Sequence, residues 1–121
     1  MDSAQKRILI VEDERPLSHA LELKLQHEGF ETFVADNGED CIKAINEQTF
    51  DIVLLDLVMP VLDGFQVLEQ LQSKPNKPSI FVLSNLSQAE DENRVLKLGA
   101  KKYFIKSDTS LESIVNEIKQ A

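Results

Sequence analysis

The stretch from Asp51 to Gly64, DIVLLDLVMPVLDG, limits what this chain can fold into more than any other. Four apolar residues, Ile52 to Leu55, stop at Asp56, and the turn formers Pro60, Asp63 and Gly64 precede the next helical pattern. A run that apolar is a strand covered on both faces. Asp56 therefore stands where the strand leaves the sheet, and in open parallel α/β sheets ligands bind along that carboxyl edge. It is the candidate reactive group. An aspartate after a strand can equally turn the chain or cap a helix, so the rest of the chain has to decide.

Read in order, the chain repeats this pattern. Arg7 to Val11 (RILIV) is a second buried-strand run, and it ends in the acids Glu12, Asp13 and Glu14. Pro16 suits a first helical turn, and Leu17, Ala20, Leu21 and Leu25 recur at helical spacing until Gly29 stops the helix. Phe30 to Ala35 (FETFVA) is a more polar strand suited to a sheet edge, after which Asn37 caps a helix containing Ile42 and Ile45. Beyond Gly64, capped by Asp63, Phe65, Leu68 and Leu71 mark a short helix ended by KPNKP with Pro75 and Pro78. Ile80 to Leu83 is the fourth strand and leads to Ser84; Ser87 with Glu90 has capping-box spacing for a helix closing at Gly99. Lys101 to Ile105 is the fifth strand and leads to Lys106. Thr109 with Glu112 repeats the capping-box spacing before a last helix striped by Leu111, Ile114, Val115 and Ile118.

Five strands alternating with five helices predict a parallel sheet covered on both faces, because crossover connections are right-handed. The expected fold class is α/β: a flavodoxin-like, doubly wound (βα)5 domain spanning residues 1–121, with strand order 2-1-3-4-5 placing the most polar strand at an edge. That order brings Glu12, Asp13, Asp56, Ser84 and Lys106 into one pocket.

Composition narrows the function. With 13 Lys and Arg against 21 Asp and Glu, the net charge of −8 argues against direct nucleic acid binding, because phosphates select basic patches. The single cysteine, Cys41, excludes an internal disulfide and a cysteine metal cluster, and its helical setting suits packing. His19 and His27 lack a third metal ligand and are given no role. No apolar run approaches the roughly 18 residues of a membrane span, so a soluble, cytoplasmic protein is expected.

Three carboxylates held together repel, and a divalent cation relieves this. Hard oxygen ligands in an open pocket suit Mg2+, which favours one or two carboxylates plus a phosphoryl oxygen. Asp56 could then act as a nucleophile on phosphorus, with Mg2+ and Lys106 supplying positive charge and the Ser84 hydroxyl a hydrogen bond.

At these residues the sequence resembles the receiver domains of two-component response regulators, over essentially its whole length. The resemblance implies that Glu12 and Asp13 are the acidic pair holding Mg2+, that Asp56 is the phospho-acceptor and touches the metal, and that the Val58 carbonyl completes the coordination. Ser84 and Lys106 match the hydroxyl and lysine that bind the phosphoryl group. Met59, Pro60, Asp63 and Gly64 match the loop after the acceptor, and Tyr103 matches the aromatic switch that follows the hydroxyl inward. A signalling switch of this kind catalyses its own phosphorylation and dephosphorylation. It would take its phosphoryl group from a sensor histidine kinase or a histidine phosphotransfer protein, and act on an effector through the fourth helix, fifth strand and fifth helix. Homodimerisation on phosphorylation is also implied.

The chain departs from the family pattern in two places, Ser107 following the lysine where proline is usual and Asn85 following the hydroxyl where a small residue is usual; with no output domain after Ala121 in the sequence read, either a stand-alone regulator or a receiver from a longer protein is expected. A non-proline cis bond costs about 2.5–4 kcal/mol, so the Lys106–Ser107 bond is expected to be trans. Competing readings are a receiver-like interaction module that never accepts phosphate and an aspartate-nucleophile phosphatase of the haloacid dehalogenase type. The latter places a second acid where this chain has Val58. A flavodoxin would need a Ser/Thr/Gly-rich phosphate loop after the first strand, where this chain has acids.

Overall fold

The computed structural model describes residues 5–59, 61–75, 77–86 and 88–121. Strands β1 (Arg7–Val11), β2 (Glu31–Ala35), β3 (Ile52–Asp56), β4 (Ser79–Ser84) and β5 (Lys102–Ile105) alternate with helices α1 (Arg15–His27), α2 (Gly38–Glu47), α3 (Gly64–Leu71), α4 (Ala89–Lys97) and α5 (Leu111–Lys119). Every neighbouring pair is parallel and the order is β2-β1-β3-β4-β5. This is the expected flavodoxin-like fold. The polar β2 lies at an edge, with Ala35 its one buried residue, whereas all five residues of the central β3 are buried.

Strand side chains alternate between faces, and the core divides accordingly. Ile8, Ile10, Ile52, Leu54, Phe81, Leu83 and Phe104 pack with α1 and α5 through Leu21, Leu25, Ile114 and Ile118. Leu9, Val11, Val53, Leu55 and Val82 pack on the opposite side with Cys41, Val67, Leu68 and Val95 from α2, α3 and α4. Burial pushes the Cys41 thiol up to about 12, which suits an inert packing role. The alternation carries through to the carboxyl edge. Glu12, Asp56 and Lys106 continue the α1/α5 series, while Ser84 and Tyr103 belong to the other.

Local chemistry sets the helix ends. Pro16 occupies the first turn of α1, and Gly29 ends it at φ +97°, a conformation that costs glycine little. The Asn37 side chain accepts from the Asp40 N–H at the start of α2, and Asp63 forms a reciprocal capping box with Gln66 at the start of α3. Two expectations change. The α5 cap is Ser110, whose hydroxyl accepts from the Ser113 N–H, because Lys106–Asp108 form a 3₁₀ turn that delays the helix beyond the predicted Thr109–Glu112 box. In the predicted Ser87–Glu90 box, Ser87 lies outside the described residues; α4 begins after Gln88, whose side chain makes no capping bond. The Lys106–Ser107 peptide is trans, as expected. Among the described residues no helix is long and apolar enough to cross a membrane.

Candidate functional site

The carboxyl ends of β1 and β3, with the residue after β5, deliver the charged groups to one place. Ligand oxygens of Glu12, Asp13 and Asp56 all lie within 4.8 Å of one another. Glu12 and Asp56 are buried, and Asp13 is exposed. Register explains the meeting: Val11 pairs with Leu55 and Asp56 pairs with Leu83, so adjacent strands end at the same level. A cavity of about 330 Å³ opens there, lined by Asp13, Glu14, Asp56, Val58, Asn85, Leu86 and Lys106.

Lys106 is the centre of the charge arrangement. Its Nζ donates to Asp56 Oδ2 at 3.2 Å and to Glu14 Oε1 at 2.8 Å, and lies 2.8 Å from Glu12 Oε1. The contact with Glu12 is an ion pair outside hydrogen-bond geometry, so this buried oxygen has no hydrogen-bond partner. The other Glu12 oxygen accepts from the Glu14 N–H at 3.0 Å. Asp56 Oδ1 accepts from the Val58 N–H at 3.2 Å.

Burial sets the protonation of these groups. Desolvation raises Glu12 to about 7, against the opposing pull of Lys106 and the Glu14 N–H. Desolvation also raises Asp56, with Lys106 and the Val58 N–H acting the other way. For Lys106, burial would lower the pKa, but the close contacts with Glu12 and Glu14 outweigh it and the net direction is upward. A partly buried ammonium among three carboxylates thus stays charged, while two of the carboxylates are held less acidic than usual.

Of the residues singled out in the sequence, Asp13, Asp56, Val58 and Lys106 line the cavity, and Glu12 lies buried against it. Ser84 is fully buried and does not line the cavity; its Oγ accepts from the Leu86 N–H at 3.2 Å. Tyr103 packs against the core on the α4 side, and its hydroxyl donates to the Leu86 carbonyl. Burial raises its pKa and Asp91 adds to the rise, while the nearby Ser84 hydroxyl opposes it. Met59 is buried, whereas Pro60 lies outside the described residues. Glu14 was read in the sequence only as one of three acids ending β1. Its partner stands 92 positions away, and no local pattern announces the pairing.

The chain belongs to the response regulator receiver domain family, whose sequence model matches residues 8–119. It is 34% identical over 101 residues to the transcriptional regulatory protein PcoR of Escherichia coli. That match covers 84% of this chain but only 45% of PcoR, so the chain spans about half the length of that relative. Among solved structures, the receiver domain of Francisella response regulator 1452 superposes with a TM-score of 0.90 at 25% identity, covering 96% of this chain and 95% of that one. The CheY-like receiver domain protein of Methanospirillum hungatei shares the fold at a TM-score of 0.90 and 24% identity, over 97% and 93% of the two chains. The N-terminal receiver domain of Klebsiella pneumoniae RstA, solved in a BeF3-activated form, shares it at 0.87 and 23%, over 95% and 97%.

Proposed function

We propose that the protein is a phosphorylation-controlled signalling switch in which Asp56 accepts a phosphoryl group from a phosphohistidine on a sensor kinase or phosphotransfer protein. The observation that carries this reading is the Lys106 ammonium 3.2 Å from Asp56 Oδ2, at the edge of a cavity wide enough for a phosphoryl group. Glu12, Asp13 and Asp56, with the Val58 carbonyl, would hold Mg2+. The fit is supported by three hard oxygen donors within 4.8 Å and by the buried Oε1 of Glu12, which no hydrogen bond satisfies. When bound, the cation neutralises carboxylate repulsion and negative charge on the phosphoryl oxygens.

The chain's own residues account for the rest. A Lys106 ammonium within reach keeps Asp56 available as a carboxylate, despite the burial that raises its pKa. One carboxylate oxygen attacks phosphorus as the P–N bond to the donor histidine breaks, and the electron pair of that bond leaves on the imidazole nitrogen. The transition state is loose and spreads charge over the outer oxygens, so positioned donors matter most. Lys106 donates to one oxygen. The Ser84 hydroxyl, whose Oγ accepts from the Leu86 N–H, can donate its own hydrogen to another. Drawing Ser84 toward the phosphoryl group would pull on Leu86, to which Tyr103 is bonded, and so reach the surface of α4, β5 and α5 where an effector would bind.

Mass spectrometry after incubation with acetyl phosphate and Mg2+ tests the reading. One phosphoryl group on the wild type and none on Asp56→Asn is the expected result. An adduct at wild-type yield on Asp56→Asn would reject the assignment.

A further inference from the structure

Lys106 Nζ has three hydrogens, and three carboxylates already surround it: Asp56, Glu12 and Glu14. Asp56 and Glu14 accept hydrogen bonds from it and Glu12 Oε1 stands 2.8 Å away as an ion pair, so a phosphoryl oxygen has to compete with carboxylates for the ammonium. The three differ in what release costs. The Asp56 and Glu12 side chains are 4% and 2% exposed and have their own places in the proposed transfer, as acceptor and as metal ligand, whereas that of Glu14 is 60% exposed, has neither place and can be solvated by water when it lets go.

Glu14 is also poorly explained by other roles. It is the N-cap residue of α1, yet its side chain makes no capping bond, and glutamate is not among the residues that cap well. Its backbone is pinned, the N–H donating to Glu12 Oε2 and the carbonyl accepting from the Leu17 and Ser18 N–H groups. The side chain is thereby aimed into the cavity toward Lys106, and lines it beside Asp56.

From this geometry we infer that Glu14 is a positioning residue that holds Lys106 in the resting protein and competes with the phosphoryl group for its ammonium. The inference rests on the proposed phospho-acceptor role of Asp56. In that transfer the new P–O bond to Asp56 forms as the donor's P–N bond breaks, and Lys106 exchanges Glu14 for a phosphoryl oxygen without gaining or losing a proton. Glu14 thus holds the lysine ready while taxing the phosphorylated state by the strength of one partly exposed ion pair. Exposed pairs of this kind correspond to roughly two- to fivefold in an equilibrium constant.

The test uses the full chain with Mg2+ and beryllofluoride, a phosphoryl mimic, its affinity measured by calorimetry. In parallel, NMR of the Lys106 ammonium in the metal-free, anion-free protein reports its hydrogen-bond state. Glu14→Gln should bind beryllofluoride about two- to fivefold more tightly at low salt, and the advantage should shrink in high salt. The Lys106 ammonium resonance should shift before any ligand is added. Glu14→Asp keeps the charge but shortens the reach, so it should behave like Glu14→Gln. If it behaves like wild type, general acidity and not the contact is responsible, and the inference fails. Unchanged or weaker binding by Glu14→Gln also overturns it. Should wild type fail to take a phosphoryl group on Asp56 from acetyl phosphate, the proposed function fails first; a phosphorylated wild type with unaltered Glu14 variants rejects only the role of Glu14.

Discussion

Gly64 packs so tightly under Asp56 that a Cβ at residue 64 would lie 2.5 Å from the Asp56 carbonyl oxygen and 2.6 Å from the Leu57 Cα. The Gly64 N–H also donates to the Leu57 carbonyl at 2.9 Å. The start of α3 thereby fixes the backbone that carries the candidate acceptor. Both contacts are backbone, so they cannot yield by a rotamer change.

Gly64→Ala should therefore destabilise the protein by about 1–3 kcal/mol, the usual cost of overpacking. The comparison is Gly29→Ala: Gly29 has φ +97° and nothing within 4 Å of its notional Cβ, so only backbone strain of about 1–2 kcal/mol opposes the change. Urea unfolding measures both. Because the displaced backbone bears Asp56, Gly64→Ala should also slow phosphorylation, whereas Gly29→Ala should not.

The acid pocket predicts a dependence of stability on pH when divalent cations are chelated. Burial raises Glu12 from 4.5 to about 7, and Asp56 moves in the same direction. A carboxyl with a folded-state pKa above its unfolded value binds more protons when folded, so the contribution of these two groups to stability is greatest below about pH 4.5 and is lost as pH rises through 7. The raised lysine stays charged across this window and contributes no slope there. Glu12→Gln should flatten the decline, by up to about 3 kcal/mol between the two ends. Parallel wild-type and variant curves in EDTA would show that Glu12 does not titrate in this way.

Val61 is the one non-glycine residue at positive φ among the described residues, at +71°, and its side chain stands in solvent at 76% exposure. A β-branched residue is strained there, and the exposed side chain recovers little by packing. Val61→Asn, which tolerates the left-handed region, should raise stability by about 1 kcal/mol, read as a higher denaturation midpoint with unchanged m-value.

The lifetime of a phosphoryl group on Asp56 depends on water reaching it in line. Val58 and Leu86 line the cavity, and neither side chain can orient a nucleophilic water. Water-positioning or general-base help is typically worth about 10²–10⁴-fold. Val58→Asn combined with Leu86→Glu should shorten the lifetime by at least about tenfold, measured as decay after the donor is removed. Decay at the wild-type rate would free both residues of this role.

The order and kind of elements, and the place of the site, were legible in the chain because they follow from local patterns. Runs such as RILIV and IVLL bury two faces, each stops at a polar residue, and strand–helix alternation allows essentially one sheet type. Asp56, Glu12, Asp13 and Lys106 could thus be placed at one edge without coordinates. The start of α5 was misplaced because Thr109 and Ser110 offer equivalent caps to a local reading; the 3₁₀ turn that carries Lys106 to the pocket selects Ser110. The hold of Glu14 on Lys106, the bond from Tyr103 to the Leu86 carbonyl and the contact of Gly64 with Asp56 were decided only by the tertiary structure. Each joins groups whose chemistry permits many partners, and only the packed backbone selects one. A sequence carries its strands and their ends as local periodicity, whereas an ion pair across 92 residues leaves no periodic trace.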